Sequence, residues 1–265
     1  MSGKGLASMC ELFGLSADRK VNINKELKEF YSHAPDHPNG WGLYYDDGGS
    51  VFFEKEDKRA DRSQRLKSIL SRRIHAQKAI GHIRYATVGY DEIENTHPFR
   101  GKDLSGREWV FAHNGTIFDS DLLSSYFHKQ KGETDSERIF LYMLDEMNAL
   151  IRQKARPLSE SERFSVLEKM VARLSPHNKL NLLIDDGHIL YLHANYTDSL
   201  YIREQRGAAY ISTKPLSDGL WKHVPFTRLV SYKDGRQAMV ACSHGKEYIP
   251  DPESIKALFL MYSHL

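Results

Sequence analysis

Cysteine is scarce in this chain: there are two in 265 residues, Cys10 and Cys242. Two cysteines cannot build a disulfide framework, and their wide separation leaves no zinc-ligand spacing. A reducing, cytoplasmic setting is the expectation. Long apolar runs are missing too. None approaches the roughly 20 residues that cross a bilayer, so no membrane partner is expected. The opening "MSGKGLAS" lacks the apolar stretch of a secretory signal. An excess of one charge is also absent. Thirty-seven basic against 35 acidic residues give +2, which argues against nucleic acid as a partner. Short basic groups at Lys20, Arg72–Arg73 and Lys129–Lys131 read as solvated faces. The "GKG" at 3–5 lacks the remaining residues of a phosphate loop, and no H-E-x-x-H or Cys/His cluster occurs. His82, His97 and His113 are therefore not read as metal ligands, and His82 and His113 are read as satisfying backbone groups. No metal and no organic cofactor is expected.

What the chain does contain is 40% hydrophobic and 27% charged residues, the balance of a globular protein. Its length suits one large domain, or two small ones sharing a core. Residues 1–9 read as a tag or pro-segment and residues 10–265 as a single domain. "CELFGLS" reads as a strand. "INKELKEFYSHA" sets Ile23, Leu27, Phe30 and Tyr31 on one helical stripe. "HPNGWGLYY" and "SVFFE" flank an Asp/Gly turn as paired strands. "SQRLKSILSRRI" suggests a helix and "AIGHIRYAT" a buried strand. "EWVFAHNGTI" reads as a strand closing on an Asn-Gly turn. "DSDLLSSYFHKQ" is expected to be a helix capped by Asp119 or Ser120. Two longer helices follow, "TDSERIFLYMLDEMNALIRQ" and "SESERFSVLEKMVARL", the first capped by Thr134, Asp135 or Ser136. The second half turns strand-rich, with "KLNLLIDDGHILYLHA" as a hairpin, then "AAYISTKPL" and "RLVSYKDGRQAMVACS". Cys242, within that last run, is expected to be a core thiol. Strands on both sides of a helical pair suggest two sheets with helices packed against them.

Cys10 has two readings on position alone. It is a small core hydrophobe, or removal of Met9 exposes it as a chain-terminal nucleophile. A terminal cysteine combines a thiolate with an α-amine of pKa about 7.7–8.0 that takes and returns a proton near neutrality. Five islands bear on the choice: "MCELFG" (9–14), "HPNGWGLYY" (37–45), "GHIRYAT" (81–87), "FAHNGTI" (111–117) and "GETDSE" (132–137). In this order they resemble the glutaminase domain of class II glutamine amidotransferases, which are N-terminal-nucleophile hydrolases. The resemblance covers Met9 to Gln153. The later "KLNLLIDDGHILYLHAN" and "AAYISTKPLSDGLWKHVP" are similar to stand-alone members, including the ergothioneine-pathway γ-glutamyl amidohydrolases.

The resemblance implies an α+β fold, a four-layer αββα sandwich. It implies Cys10 as nucleophile and an oxyanion hole made by the Asn114 side chain and the Gly115 N–H, where an ordinary Asn-Gly turn is the plain alternative. It assigns Arg84 to the α-carboxylate of glutamine, the alternative being an internal ion pair. Asp135 would accept from the substrate's α-ammonium, the alternative being a helix cap. Tyr85 and Thr87 would line the pocket, and Asn39 and Gly40 would form a loop near the nucleophile unless they are a simple turn. Family members often carry Trp where Tyr85 stands, and some carry His where Val88 stands. The implied reaction is hydrolysis of glutamine to glutamate and ammonia, with a separate synthase subunit as acceptor or with none. One rival is a γ-glutamyl peptide or amide hydrolase. Another is a catalytically idle glutamine-binding regulatory subunit that never frees Cys10.

Overall fold

A computed structural model describes residues 10–86, 89–118, 120–216 and 219–253. Its strands are β1 (Glu11–Asn22), β2 (Trp41–Asp46), β3 (Val51–Glu56), β4 (His75–Ile83), β5 (Phe99–Lys102), β6 (Glu108–Thr116), β7 (Lys179–Asp185), β8 (Leu190–Ala194), β9 (Tyr201–Gln205), β10 (Ala208–Ser212), β11 (Lys222–His223), β12 (Arg228–Lys233) and β13 (Arg236–Val240). Helices are α1 (Asn24–Ser32), α2 (Gln64–Ser71), α3 (Asp135–Lys154) and α4 (Glu160–Leu174). One sheet has seven strands in the order β11-β9-β10-β1-β4-β2-β3, and the other has six in the order β13-β12-β8-β7-β6-β5. Every ladder is antiparallel.

Three apolar layers separate four layers of structure. Phe13, Leu15, Leu27, Phe30, Trp41 and Leu66 pack α1 and α2 onto the seven-stranded sheet. Phe111, Met143, Met147, Leu167, Leu180 and Leu182 pack α3 and α4 onto the six-stranded sheet. Leu12, Ile80, Val110, Ala112, Leu183 and Leu192 fill the space between the sheets. The two-residue period of a strand divides its side chains between these layers. On β1, Leu12 faces the facing sheet while Phe13 and Leu15 face the helices. On β6, Val110 and Ala112 face inward while Trp109 and Phe111 face the helices. The result is a four-layer αββα sandwich, as the resemblance implies.

Capping fixes the helix starts. Ser63 and Thr134 accept from Leu66 N and Glu137 N, and Ser159 with Glu162 forms a capping box. Several expectations are corrected. Asn114 and Gly115 are not a turn: they pair with Asn181 and Leu180 inside the β6–β7 ladder. Arg84 is not mid-strand but follows the last residue of β4. The helix expected near 119–130 is a short 3-10 turn, Asp121–Tyr126, with no side-chain cap from Ser120. Leu122 and Phe127 remain exposed there, so the segment has no continuous stripe to bury. Asp119 lies outside the described residues. Cys242 is exposed beyond the end of β13, not in the core. Strands β5, β9 and β11 are too short, or too polar, to stand out in the sequence.

Leu183 is fully buried between the sheets. Leu183→Ala should lower stability by about 2–5 kcal/mol, the usual cost of an apolar cavity. A urea midpoint within error of the parent contradicts this packing.

Candidate active site

The layer between the sheets is apolar over most of its length and polar at one end. Strand alternation carries the change. His82 shares the inner face of β4 with Ile80, and Asn114 continues the inward series of Val110 and Ala112 on β6. Lys179 and Asn181 share the inner face of β7 with Leu183. Cys10, just before β1, lies two residues from the inward Leu12.

Cys10 is partly buried. The Tyr85 N–H donates to its sulfur at 3.3 Å, and its thiol donates to the Tyr85 carbonyl at the same distance. Burial pushes the thiol above its ordinary pKa. The Tyr85 backbone, Arg84 and Lys179 pull it down, and Asp135 pushes it up. These side chains therefore converge electrostatically on one sulfur.

Arg84 is 3% exposed. Its guanidinium donates to the carbonyls of Tyr90 and Gly89 at 3.0 and 3.1 Å and meets Asp91 at 3.4 Å. Asn39 ties the same segment. Its Nδ2 donates to Asp91 at 2.9 Å, and its Oδ1 accepts from Ala86 N at 2.8 Å. The Gly40 carbonyl accepts from Arg84 N at 2.8 Å. Asn39 and Gly40 thus brace Arg84 and the chain after it, which exceeds the role of a plain turn. Thr87 and Val88 lie outside the described residues.

On the facing sheet, the Asn114 Oδ1 is buried and has no hydrogen-bond partner among the described residues. A Cβ on Gly115 would press into the Lys179 carbonyl and the His113 ring. Only glycine fits this close approach of backbone to backbone. His113 Nε2 donates to the Lys179 carbonyl at 3.1 Å, leaving Nδ1 3.0 Å from the Ser136 hydroxyl. Burial holds its pKa down. His82 differs from the expectation. The His82 and His97 rings are tilted against each other with centroids 4.3 Å apart, and none of their ring nitrogens has a hydrogen-bond partner among the described residues. Burial keeps both well below the ordinary histidine range, so both are neutral. Asp135 is the first residue of α3, one past the Thr134 cap. Its Oδ2 accepts from Ile117 N at 2.7 Å and its Oδ1 from Ser136 N at 2.8 Å, which couples the helix start to the chain leaving β6.

Two features escaped the motif reading. Lys179 is a buried cation at the head of a fully buried strand, and a lysine at the head of "KLNLLID" is the signal for it. Asp91 anchors both Asn39 and Arg84 from an exposed loop, and no pattern in the sequence marks it. Among the described residues, no group of histidine, cysteine or carboxylate side chains is arranged to hold a metal ion. No described helix is long and apolar enough to cross a membrane.

Two facing sheets with a cysteine at the head of the first strand define a class of fold, and comparison with known proteins places the chain within it. Residues 9–206 match the family profile of class-II glutamine amidotransferases. The chain belongs to that family. A protein of Haemophilus influenzae, carried under the name of a candidate glutamine amidotransferase, is 31% identical over 190 residues, covering 71% of this chain and 63% of that one. The crystal structure of a glutamine amidotransferase assigned by prediction in Pseudomonas aeruginosa superposes with a TM-score of 0.62 at 22% identity, covering 87% of this chain and all of that one. The glutamine phosphoribosylpyrophosphate amidotransferase of B. subtilis superposes at 0.61 and 16% identity over 86% of this chain and 48% of that one. The chain spans only part of the first curated relatives it matches, 55% of one and 63% of another.

Directly after the cysteine, Glu11 is 2% exposed. His33 Nδ1 lies 2.7 Å from it and His37 Nε2 3.5 Å, and the Lys214 ammonium reaches the same carboxylate. Burial raises its pKa, but His33, Lys214 and His37 together hold it below the ordinary 4.5. A depressed native pKa stabilises the fold fully above the unfolded value. That contribution fades as pH falls below about 4.5 and through the native value. Glu11→Gln should therefore cost about 1–3 kcal/mol at pH 7, with the gap from the parent shrinking as pH drops below about 4.5. A gap that stays constant from pH 7 to pH 3 in urea titrations contradicts this assignment.

Proposed function

We propose that the chain hydrolyses the γ-amide of glutamine through a Cys10 thioester once Cys10 is the first residue. The observation that carries this reading is the placement of Cys10 and Asn114–Gly115 at the same end of two facing sheets, with Arg84 and Asp135 acting on the same sulfur. The Cys10 α-amine takes the thiol proton, and the thiolate attacks the γ-carbonyl carbon. The oxyanion that forms accepts from Asn114 Nδ2 and Gly115 N–H, donors fixed before the reaction begins. The amine returns its proton to the leaving nitrogen and ammonia departs. Water, deprotonated by the same amine, then cleaves the γ-glutamyl thioester to release glutamate and restore the thiol.

Arg84 and Asp135 clasp the amino-acid head in this scheme. A guanidinium fork suits an α-carboxylate and a carboxylate suits an α-ammonium. Tyr85 lines the pocket through its backbone contact with the sulfur, and Thr87 is assigned beside it. A substrate lacking a free α-amine or α-carboxylate should bind poorly.

The amine is required as base, so a chain still carrying residues 1–9 should hydrolyse glutamine about 100- to 10,000-fold more slowly than one beginning at Cys10, the usual worth of general base catalysis. Coupled ammonia or glutamate assays on the two forms check this, and equal rates contradict it. In the form beginning at Cys10, Asn114→Ala should lower kcat about 100- to 1,000-fold. Side-by-side turnover of glutamine and γ-glutamyl dipeptides fixes the substrate. A strong preference for the dipeptides contradicts glutamine as the substrate.

A further inference from the structure

Lys179 has no part in the scheme above, yet its position gives it one. It heads β7 and pairs across the ladder with Thr116, one residue past Gly115. The period of β7 turns it to the same face as Asn181 and Leu183, toward the space between the sheets. It is 3% exposed, and a lysine is almost never buried to this extent unless its charge is paired. Its backbone is fixed by the His113 Nε2–H at 3.1 Å. Its ammonium sits 4.7 Å from the centre of the Tyr196 ring. Tyr196 packs edge-on against Tyr248 at 5.7 Å, and Tyr248 stacks on Phe118 at 5.8 Å. This aromatic wall flanks the ammonium in the polar end of the layer that holds Cys10.

We propose that Lys179 is an electrostatic positioning residue for the nucleophile: from the facing sheet, its ammonium stabilises the thiolate of Cys10. The inference rests on reading Cys10 as the nucleophile. No covalent step passes through the lysine. The thiol proton still goes to the base, and Lys179 compensates the charge left on sulfur. The charged groups that act on Cys10 are Arg84 from the end of β4, Asp135 from the start of α3 and Lys179 from β7. The two cations favour the thiolate and the carboxylate opposes it. The effect is mutual, because burial lowers the Lys179 pKa to about 8 while Cys10 acts to raise it. The lysine is thus mainly charged at neutral pH and loses its charge above about pH 8.

A thiolate, not a thiol, is alkylated, so reactivity reads the effect without any substrate. The test is peptide-resolved alkylation by iodoacetamide between pH 6 and pH 10, on the full chain and on its Lys179→Met, Lys179→Gln and Lys179→Arg variants. Exposed Cys242 serves as the reference thiol in the same molecule. In either neutral variant, alkylation of Cys10 at pH 7 should fall about 5- to 10-fold relative to Cys242, and the gap from the parent should close above about pH 8, where the parent lysine loses its own charge. The Arg variant, which keeps the charge, should stay within about 3-fold of the parent. Unchanged Cys10 reactivity in the neutral variants overturns the proposal, and so does an equal loss in all three, which would mark a packing role. The two readings fail separately. Alkylation that follows the charge at 179 in a protein that releases no ammonia from glutamine counts against the reaction alone. Unchanged alkylation beside intact turnover counts against Lys179 alone.

Discussion

Strand alternation across two stacked sheets is the constraint on which this site depends. Face-to-face sheets lie about 10 Å apart, so their inner side chains must share one layer. Every second residue of β1, β4, β6 and β7 enters that layer whatever its chemistry. Where the inward residues are Leu12, Ile80, Val110 and Leu183, the layer is core. Where they become His82, Asn114, Lys179 and Asn181, the layer turns polar, with Cys10 at its edge. Side chains far apart in the chain therefore meet from the strands, while the loop carrying Asp91 braces Arg84 and Asn39 beside them.

That polar end is costly. The ring nitrogens of His82 and His97 and the amide oxygens of Asn114 and Asn181 are buried without hydrogen-bond partners. Each such group typically costs about 1–3 kcal/mol. The cost is concentrated at one end of the sandwich, and the helix-facing layers around Trp41, Phe30, Phe111 and Met143 offset it with large, fully apolar packing. A polar end backed by two rigid outer layers suits the proposed site, because sheet hydrogen bonds rather than substrate would orient its donors. Gly115 is part of the same arrangement, because any side chain there would press the β6 and β7 backbones apart.

Much of this was legible in the sequence where a local rule agreed with the global fold. The stripe of Ile23, Leu27, Phe30 and Tyr31 is buried as its period requires, and the "DDGH" turn joins β7 to β8 as its residue types suggest. Thr134 and Ser159 cap the helices they precede. Legibility failed where tertiary pairing overrode local chemistry. Asn-Gly is a strong turn signal, yet at 114–115 a neighbouring strand claims both residues for its ladder. Cys242 sits in an apolar run but past the last strand, where no layer covers it. Arg84 reads as strand but leaves β4 so that its guanidinium meets the carbonyls of the following loop. Of the proposed site, motif order pointed to Cys10, Arg84, Asn114, Gly115 and Asp135. It missed Lys179 and Asp91, whose importance depends on which strand or loop faces them and not on their neighbours in the chain.

The central claim is that the Cys10 sulfur is the nucleophile of a site shaped for the glutamine head group. Intact-mass and peptide mapping after exposure to a glutamine-mimicking electrophile, on chains beginning at Cys10, tests it most directly. The account predicts one covalent adduct per chain, on Cys10, with labelling suppressed by free glutamine. Labelling that falls on Cys242, or that glutamine does not slow, would contradict it.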